Sequence, residues 1–182
     1  MAILEIVKHP DDVLRRKAEP VRKVNAAIRR TLDDMAETMY AAHGVGLAGN
    51  QVGLLRRLVV IDVGDGLLQL INPEIVRRSD EIVEDTEGCL SIPGWQGDVP
   101  RHRQVQMRAT LPNGRVAWFD AEDLFARAIQ HEIDHLDGVL FLDRASKVYE
   151  VTAESKAEDA EEAGQAEDAE VSPVMPAAPR EG

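Results

Sequence analysis

The stretch AEDLFARAIQHEIDHLD, residues 121–137, reads as one amphipathic helix. Asp120 is placed to cap its start, Asp123 stands three residues on, and Gly138 offers a stop. At about 100° per residue, His131 and His135 point within roughly 40° of each other. Leu124 and Ala128 fall on the same face as the two histidines, and Phe125, Ile129 and Leu136 on an adjoining one. The histidines are therefore expected to point into an interior pocket.

Upstream lie strand-like runs at Arg57–Val63, Leu67–Ile71, Gln104–Leu111 and Arg115–Phe119. Pro112-Asn113-Gly114 joins the last two as a hairpin. Before the strands, Ile28, Leu32, Met35, Met39 and Ala42 form one apolar stripe and predict a helix over Asn25–His43. Asn25 can cap its start and Gly44 its end. Helix, several strands, helix is the order of an α+β fold rather than of alternating βαβ units. The expected sheet is largely antiparallel.

His131-Glu132-Ile133-Asp134-His135 is an H-E-x-x-H motif. Two imidazoles one turn apart on one face can grip one divalent ion. Glu132, flanking that face, can reach a water on the ion without itself being a ligand. A catalytic tetrahedral site needs a third protein ligand and one open position. The longer peptidase pattern places a third His six residues on, but Phe141 stands there. His9, His43, His102 and Cys89 remain as donors. Cys89 sits in EGCLS (87–91), where a thiolate with two imidazoles would suit Zn²⁺ or Fe²⁺. Alone, it reads as a small buried hydrophobe. GVGLAGNQ (44–51) is no phosphate loop, because it follows a helix C-terminus and lacks Gly-Lys-Ser/Thr. Gln51 offers an amide donor to a substrate oxygen. Alone, the segment reads as a tight helix-to-strand turn.

The chain has 182 residues, 44% of them hydrophobic, with only 3 Phe, 2 Trp and 2 Tyr. That suits one domain with an aliphatic core. Its boundary falls near Lys147–Val151, giving a folded domain over 1–149 and an acidic segment over 150–182. The segment holds ten acids against two bases and few large apolar residues, and is expected to be disordered. The net charge of −12 argues against nucleic acid as a general partner. No apolar run approaches the roughly 18 residues of a membrane span. One Cys excludes an intramolecular disulfide, and with Glu5 and Lys8 in the opening stretch no secretory signal is expected; a cytoplasmic enzyme is.

Taken together, GVGLAGNQ (44–51), EGCLS (87–91) and HEIDH (131–135) resemble the three ordered motifs of the peptide deformylase family, G-x-G-L-A-A-x-Q, E-G-C-L-S and H-E-x-D-H. The one departure is Gly49, where the family has Ala. His9-Pro10-Asp11-Asp12-Val13-Leu14-Arg15 is also similar to the family's opening, and the resemblance covers about residues 1–147. It implies antiparallel β-sheets packed around a central metal-binding helix, and removal of the formyl group from the formyl-methionine of new polypeptides by a metal-bound water. Cys89, His131 and His135 would hold the ion, natively Fe²⁺, with Zn²⁺ or Ni²⁺ also accepted. Glu132 would be the general base and acid. Gln51 and the Leu90 backbone N–H would stabilise the oxyanion. The backbone of Val45, Gly46 and Gly88 would bind the nascent peptide as an added strand.

From the helical face, Leu124 and Ala128 are the derived walls of the methionine pocket, with Arg127 at its rim. Glu87 either orients a metal ligand or is a loop carboxylate. Asp134 either pairs with Arg101 or faces water. The chain would work near the ribosome, without direct nucleic-acid or membrane contact. Two rival readings are a metallopeptidase on the same helix motif and a non-catalytic metal- or peptide-binding module.

Overall fold

A computed structural model describes residues 2–151. The predicted acidic segment falls almost wholly outside them. Among the described residues there are two α-helices and eight strands: α1 (Ala26–Ala41), β1 (Gly46–Ala48), β2 (Leu58–Ile61), β3 (Leu68–Arg78), β4 (Ile82–Cys89), β5 (Ile92–His102), β6 (Gln104–Thr110), β7 (Val116–Glu122), α2 (Asp123–Leu136) and β8 (Lys147–Glu150). One sheet has the order β1-β2-β3-β6-β7 and the other β4-β5-β8. The pairings β1–β2, β2–β3, β3–β6, β6–β7 and β4–β5 are antiparallel. This is the expected α+β class.

Apolar spacing explains the layers. Val59, Ile61, Leu70, Met107 and Ala109 line one face of the five-stranded sheet and pack with Ala126, Ile129, Ile133 and Leu136 of α2. Leu58, Val60 and Ile71 point the other way, with Leu47, onto Leu32, Met35 and Met39 of α1. A third cluster of Leu14, Ile92, Val99, Leu140 and Phe141 fills the space beside the β4–β5 hairpin.

The helix termini hold two surprises. Asn25 does cap α1, its side chain accepting from the Ile28 N–H at 2.9 Å. The left-handed residue after α1, however, is His43 (φ 55), not Gly44. Gly44 serves close approach instead: a Cβ there would overlap Leu90 Cδ1 at 2.6 Å. At the start of α2, Asp120 is not the cap. It belongs to β7, pairs with Gln106 and accepts that residue's amide at 2.9 Å. The β6–β7 ladder runs on to Gln104–Glu122, so the cap position falls to Glu122, without a side-chain bond. At the other end Gly138 (φ 75) closes α2 as expected. Its N–H reaches His135 O at 3.1 Å and that of Val139 reaches Asp134 O at 2.9 Å, the paired bonds of a Schellman ending.

The Pro112–Gly114 hairpin forms as read, with Leu111 N donating to Arg115 O at 2.8 Å. The β4–β5 hairpin had no sequence signal: β4 carries the acids Glu84, Asp85 and Glu87, and β5 carries Pro93, Gly94, Gly97 and Pro100.

Gly49 shows why it departs from alanine. A Cβ there would meet Arg56 O at 2.5 Å and Leu54 O at 2.8 Å, both backbone atoms. Gly49→Ala is expected to cost about 1–3 kcal/mol of stability, the range for overpacking. Chemical denaturation checks this; an unchanged midpoint would show that the Leu54–Arg56 loop gives way freely.

Candidate metal and catalytic site

The site forms where three local structures meet. β4 ends at Cys89, a two-residue turn at Leu90–Ser91 follows, and β5 returns from Ile92, which pairs with Cys89. β1 leads into a 3-10 turn, Gly49–Val52, that carries Gln51. α2 presents His131, Glu132 and His135.

Cys89 Sγ lies 3.3 Å from His135 Nε2, and the two imidazole Nε2 atoms are 3.2 Å apart. All three ligand atoms lie within 4.8 Å of one another. Ligands bonded at about 2.0–2.3 Å to a tetrahedral ion stand roughly 3.3–3.6 Å apart. The donor set, one sulfur and two nitrogens, therefore fits a single transition-metal ion in chemistry and in spacing. His131 Nδ1 donates to Glu87 Oε2 at 2.8 Å. A carboxylate only accepts, so that bond puts a proton on Nδ1 and leaves Nε2 as the ring nitrogen facing the cluster.

Gln51 is buried. Its Oε1 accepts from Ala48 N at 2.9 Å, while Nε2 lies 3.4 Å from Cys89 Sγ and 3.3 Å from Ser91 Oγ. Glu132 is 4% exposed, and its Oε2 has no hydrogen-bond partner among the described residues. A Cβ on Gly46 would run into the Glu132 carboxylate, so only glycine lets β1 pass so close. Burial pushes the Glu132 carboxyl up to about 7, against the opposing charge of His131. His135 is shifted down by burial and then by His131. Burial also acts downward on His131, but its bonds to Cys89 and Glu87 outweigh this and leave it raised. For Glu87 burial acts upward, and the bonds from His131 and Arg101 hold it well below the usual carboxylate range.

Behind the ligands lies a buried ionic network. Arg101 Nε and Nη2 grip Glu87 at 2.8 and 3.0 Å, and Nη1 reaches Asp134 at 2.6 Å. Both open alternatives are thus answered: Glu87 orients His131, and Asp134 pairs with Arg101. Arg127 corrects the expectation of a rim position. Only 8% exposed, it donates to Glu87 Oε1, Val99 O and Val83 O, each at 2.8 Å. Charge patterning alone does not show that a helix arginine has three acceptors waiting. Arg144, unremarked in the sequence, forks onto Asp134 at 2.6 and 2.8 Å.

The remaining predicted residues lie around this centre. Val45 and Gly46 belong to the run entering β1, and Gly88 precedes Cys89 on β4. β1 and β4 are each an edge strand of their sheet. Ala128 is buried, whereas Leu124 is 56% exposed. Leu124 borders a depression of about 100 Å³ shared with Val83, His102 and Arg127.

Three lone-pair donors, a buried carboxylate and an amide donor are the parts metal-assisted hydrolysis requires. The family model for polypeptide deformylase matches residues 3–150. A peptide deformylase of Caldanaerobacter subterraneus subsp. tengcongensis is 59% identical over 144 residues, 79% of this chain and 90% of that one. One of Symbiobacterium thermophilum is 56% identical over 162 residues, 87% of this chain and 74% of that one. The crystal structure of peptide deformylase from Thermotoga maritima matches with a TM-score of 0.79 at 39% identity, covering 81% of this chain and 100% of that one. The chain belongs to the polypeptide deformylase family and is an enzyme.

Proposed function

We propose that the enzyme removes the N-formyl group from formyl-methionine at the start of newly made polypeptides. The observation that carries this reading is the convergence of Cys89, His131 and His135 beside the unpartnered Glu132 carboxylate and the Gln51 amide. Cys89, His131 and His135 would hold one divalent ion, Fe²⁺ in the native enzyme, with Zn²⁺ or Ni²⁺ as substitutes. When bound, the ion would polarise the formyl oxygen and make a water more acidic. Glu132 would take the proton of the attacking water and later give it to the leaving amine. The C–N bond then breaks, releasing formate and a free amino terminus. Gln51 Nε2 and the Leu90 backbone N–H would donate to the developing oxyanion.

The edge positions of β1 and β4 support an added-strand mode for the peptide, through the backbone of Val45, Gly46 and Gly88. Backbone pairing ignores side chains, which suits an enzyme acting on many nascent chains. Ala128 and Leu124 would border the methionine pocket. Such substrates place the enzyme in the cytoplasm, near the ribosome. No helix among the described residues is long and apolar enough to cross a membrane.

The test is formate release from formyl-Met-Ala-Ser by full-length protein purified without oxygen and loaded with Fe²⁺. Stoichiometric formate and free Met-Ala-Ser are expected. Cleavage of an internal bond in the unformylated peptide would instead make this a metallopeptidase. Bound metal with no turnover would leave a binding module.

A further inference from the structure

The opening motif His9–Arg15 has no part in the chemistry above, yet the segment just before it touches both proposed oxyanion donors. Val7 N donates to Gln51 O at 2.7 Å. Lys8 Nζ donates to Leu90 O at 2.7 Å, and His9 N to Ser91 O at 2.8 Å. Leu90 and Ser91 are the two turn residues at the tip of the β4–β5 hairpin. A hairpin tip has carbonyls that its own ladder does not use, and it is where motion concentrates. Here both tip carbonyls are taken by one crossing segment, and that segment also holds Gln51.

The crossing segment is itself anchored. Asp11 N donates to Lys8 O at 3.0 Å, and the Asp11 side chain caps the following 3-10 turn by accepting from Val13 N at 2.9 Å. Leu14 is fully buried with Ile92, Val99 and Phe141. Arg15 pairs with Asp143. The motif His9–Arg15 thus acts as the buckle of a strap.

We propose that Val7–His9 is a positioning strap that holds Gln51 and Leu90 in register, with Lys8 as its positioning residue. The inference rests on the reading of Gln51 and Leu90 as oxyanion donors. The Lys8 ammonium is exposed and lies outside the core, so its role is separable from folding. A charged donor on Leu90 O makes a stronger bond than a neutral one. Without it the tip would loosen against the 3-10 turn carrying Gln51. A displacement of about 1 Å at a donor can cost as much as 10²-fold in rate.

The experiment compares full-length wild type, Lys8→Met, Lys8→Arg and Gln51→Leu, each loaded with Co²⁺ without oxygen. The readouts are kcat and KM for formyl-Met-Ala-Ser, melting temperature, and the thiolate-to-cobalt absorption of Cys89. Lys8→Met should lose about ten-fold in kcat, less than removal of a donor outright. Its KM, melting temperature and cobalt spectrum should be unchanged, and Lys8→Arg should recover most of the rate. Gln51→Leu should lose about 10²–10³-fold. Lys8→Met within two-fold of wild type, beside a crippled Gln51→Leu, overturns the strap and leaves the donor reading intact. A Gln51→Leu variant with near-normal kcat overturns the donor reading and the strap with it. A loss in Lys8→Met with an altered cobalt spectrum, or without recovery in Lys8→Arg, also overturns the strap, because the effect would then run through Cys89 or through general structure.

Discussion

Glu132→Gln is expected to lower kcat for formate release by about 10²–10⁴-fold, the range that positioned acid–base groups supply. Metal content and melting temperature should stay near wild type. Three features argue for so selective a loss. The substitution keeps the shape of a side chain pressed against Gly46, so no cavity opens and no clash appears. Burial already works against the charged form of Glu132, so a neutral amide is no harder to bury. The ligand atoms, Cys89 Sγ and the two Nε2 atoms, make none of their contacts through Glu132. What the amide lacks is a basic oxygen for the water's proton. KM should move little, because the loss belongs to the transition state. Rates within about three-fold of wild type would remove Glu132 from the chemistry and reassign the proton to another group.

The site was more legible in the sequence than the frame that holds it. His131 and His135 announce themselves because helical periodicity is rigid: a spacing of four fixes a shared face wherever the helix goes. Cys89 and Gln51 carry no such signal, since a lone cysteine or glutamine in a loop can point anywhere. Only the motifs around them placed both in the reading of the site, and only the fold brings Gln51 Nε2 to 3.4 Å from Cys89 Sγ. Four of the five strands of the large sheet showed through alternation or apolar runs, but β1 was read as part of a turn and β3 runs on to Arg78, past the expected end at Ile71. The β4–β5 hairpin did not show, because one strand is acidic and the other holds two prolines. That hairpin is held through its contacts with the rest of the fold, Val99 and Ile92 in the third core cluster and Arg127 of α2 behind it. Arg127 was misplaced for the same reason: a guanidinium is expected in water unless acceptors are known to await it. Asp120 was misread because a cap signal says nothing of a ladder that continues past it.

Arg101→Met is expected to destabilise the fold by about 3–5 kcal/mol, the cost of leaving buried charge without its partner. For a chain of this size, at roughly 2–4 °C per kcal/mol, the melting temperature should fall by roughly 6–20 °C. Methionine fills a similar volume, so the loss is electrostatic rather than a cavity. Side chains in the Arg101–Glu87 pair are each 4% exposed, and water cannot replace the missing donors. Glu87 would keep Arg127 and His131, and Asp134 would keep Arg144, so the network should weaken rather than collapse. The exposed pair Arg108–Glu74 is the control, with side chains 49% and 59% exposed. Breaking it by Arg108→Met removes an ion pair worth about 0–1 kcal/mol, together with stacking of the guanidinium over Trp118 at 5.9 Å. Metal retention gives a second readout: Glu87 fixes the Nδ1 proton of His131, and loosening such a partner typically costs 10–100-fold in metal affinity. A fall of less than about 3 °C, with metal release at the wild-type rate, would show that Arg127 and Arg144 alone hold both carboxylates. Arg101 would then be dispensable to the network it bridges.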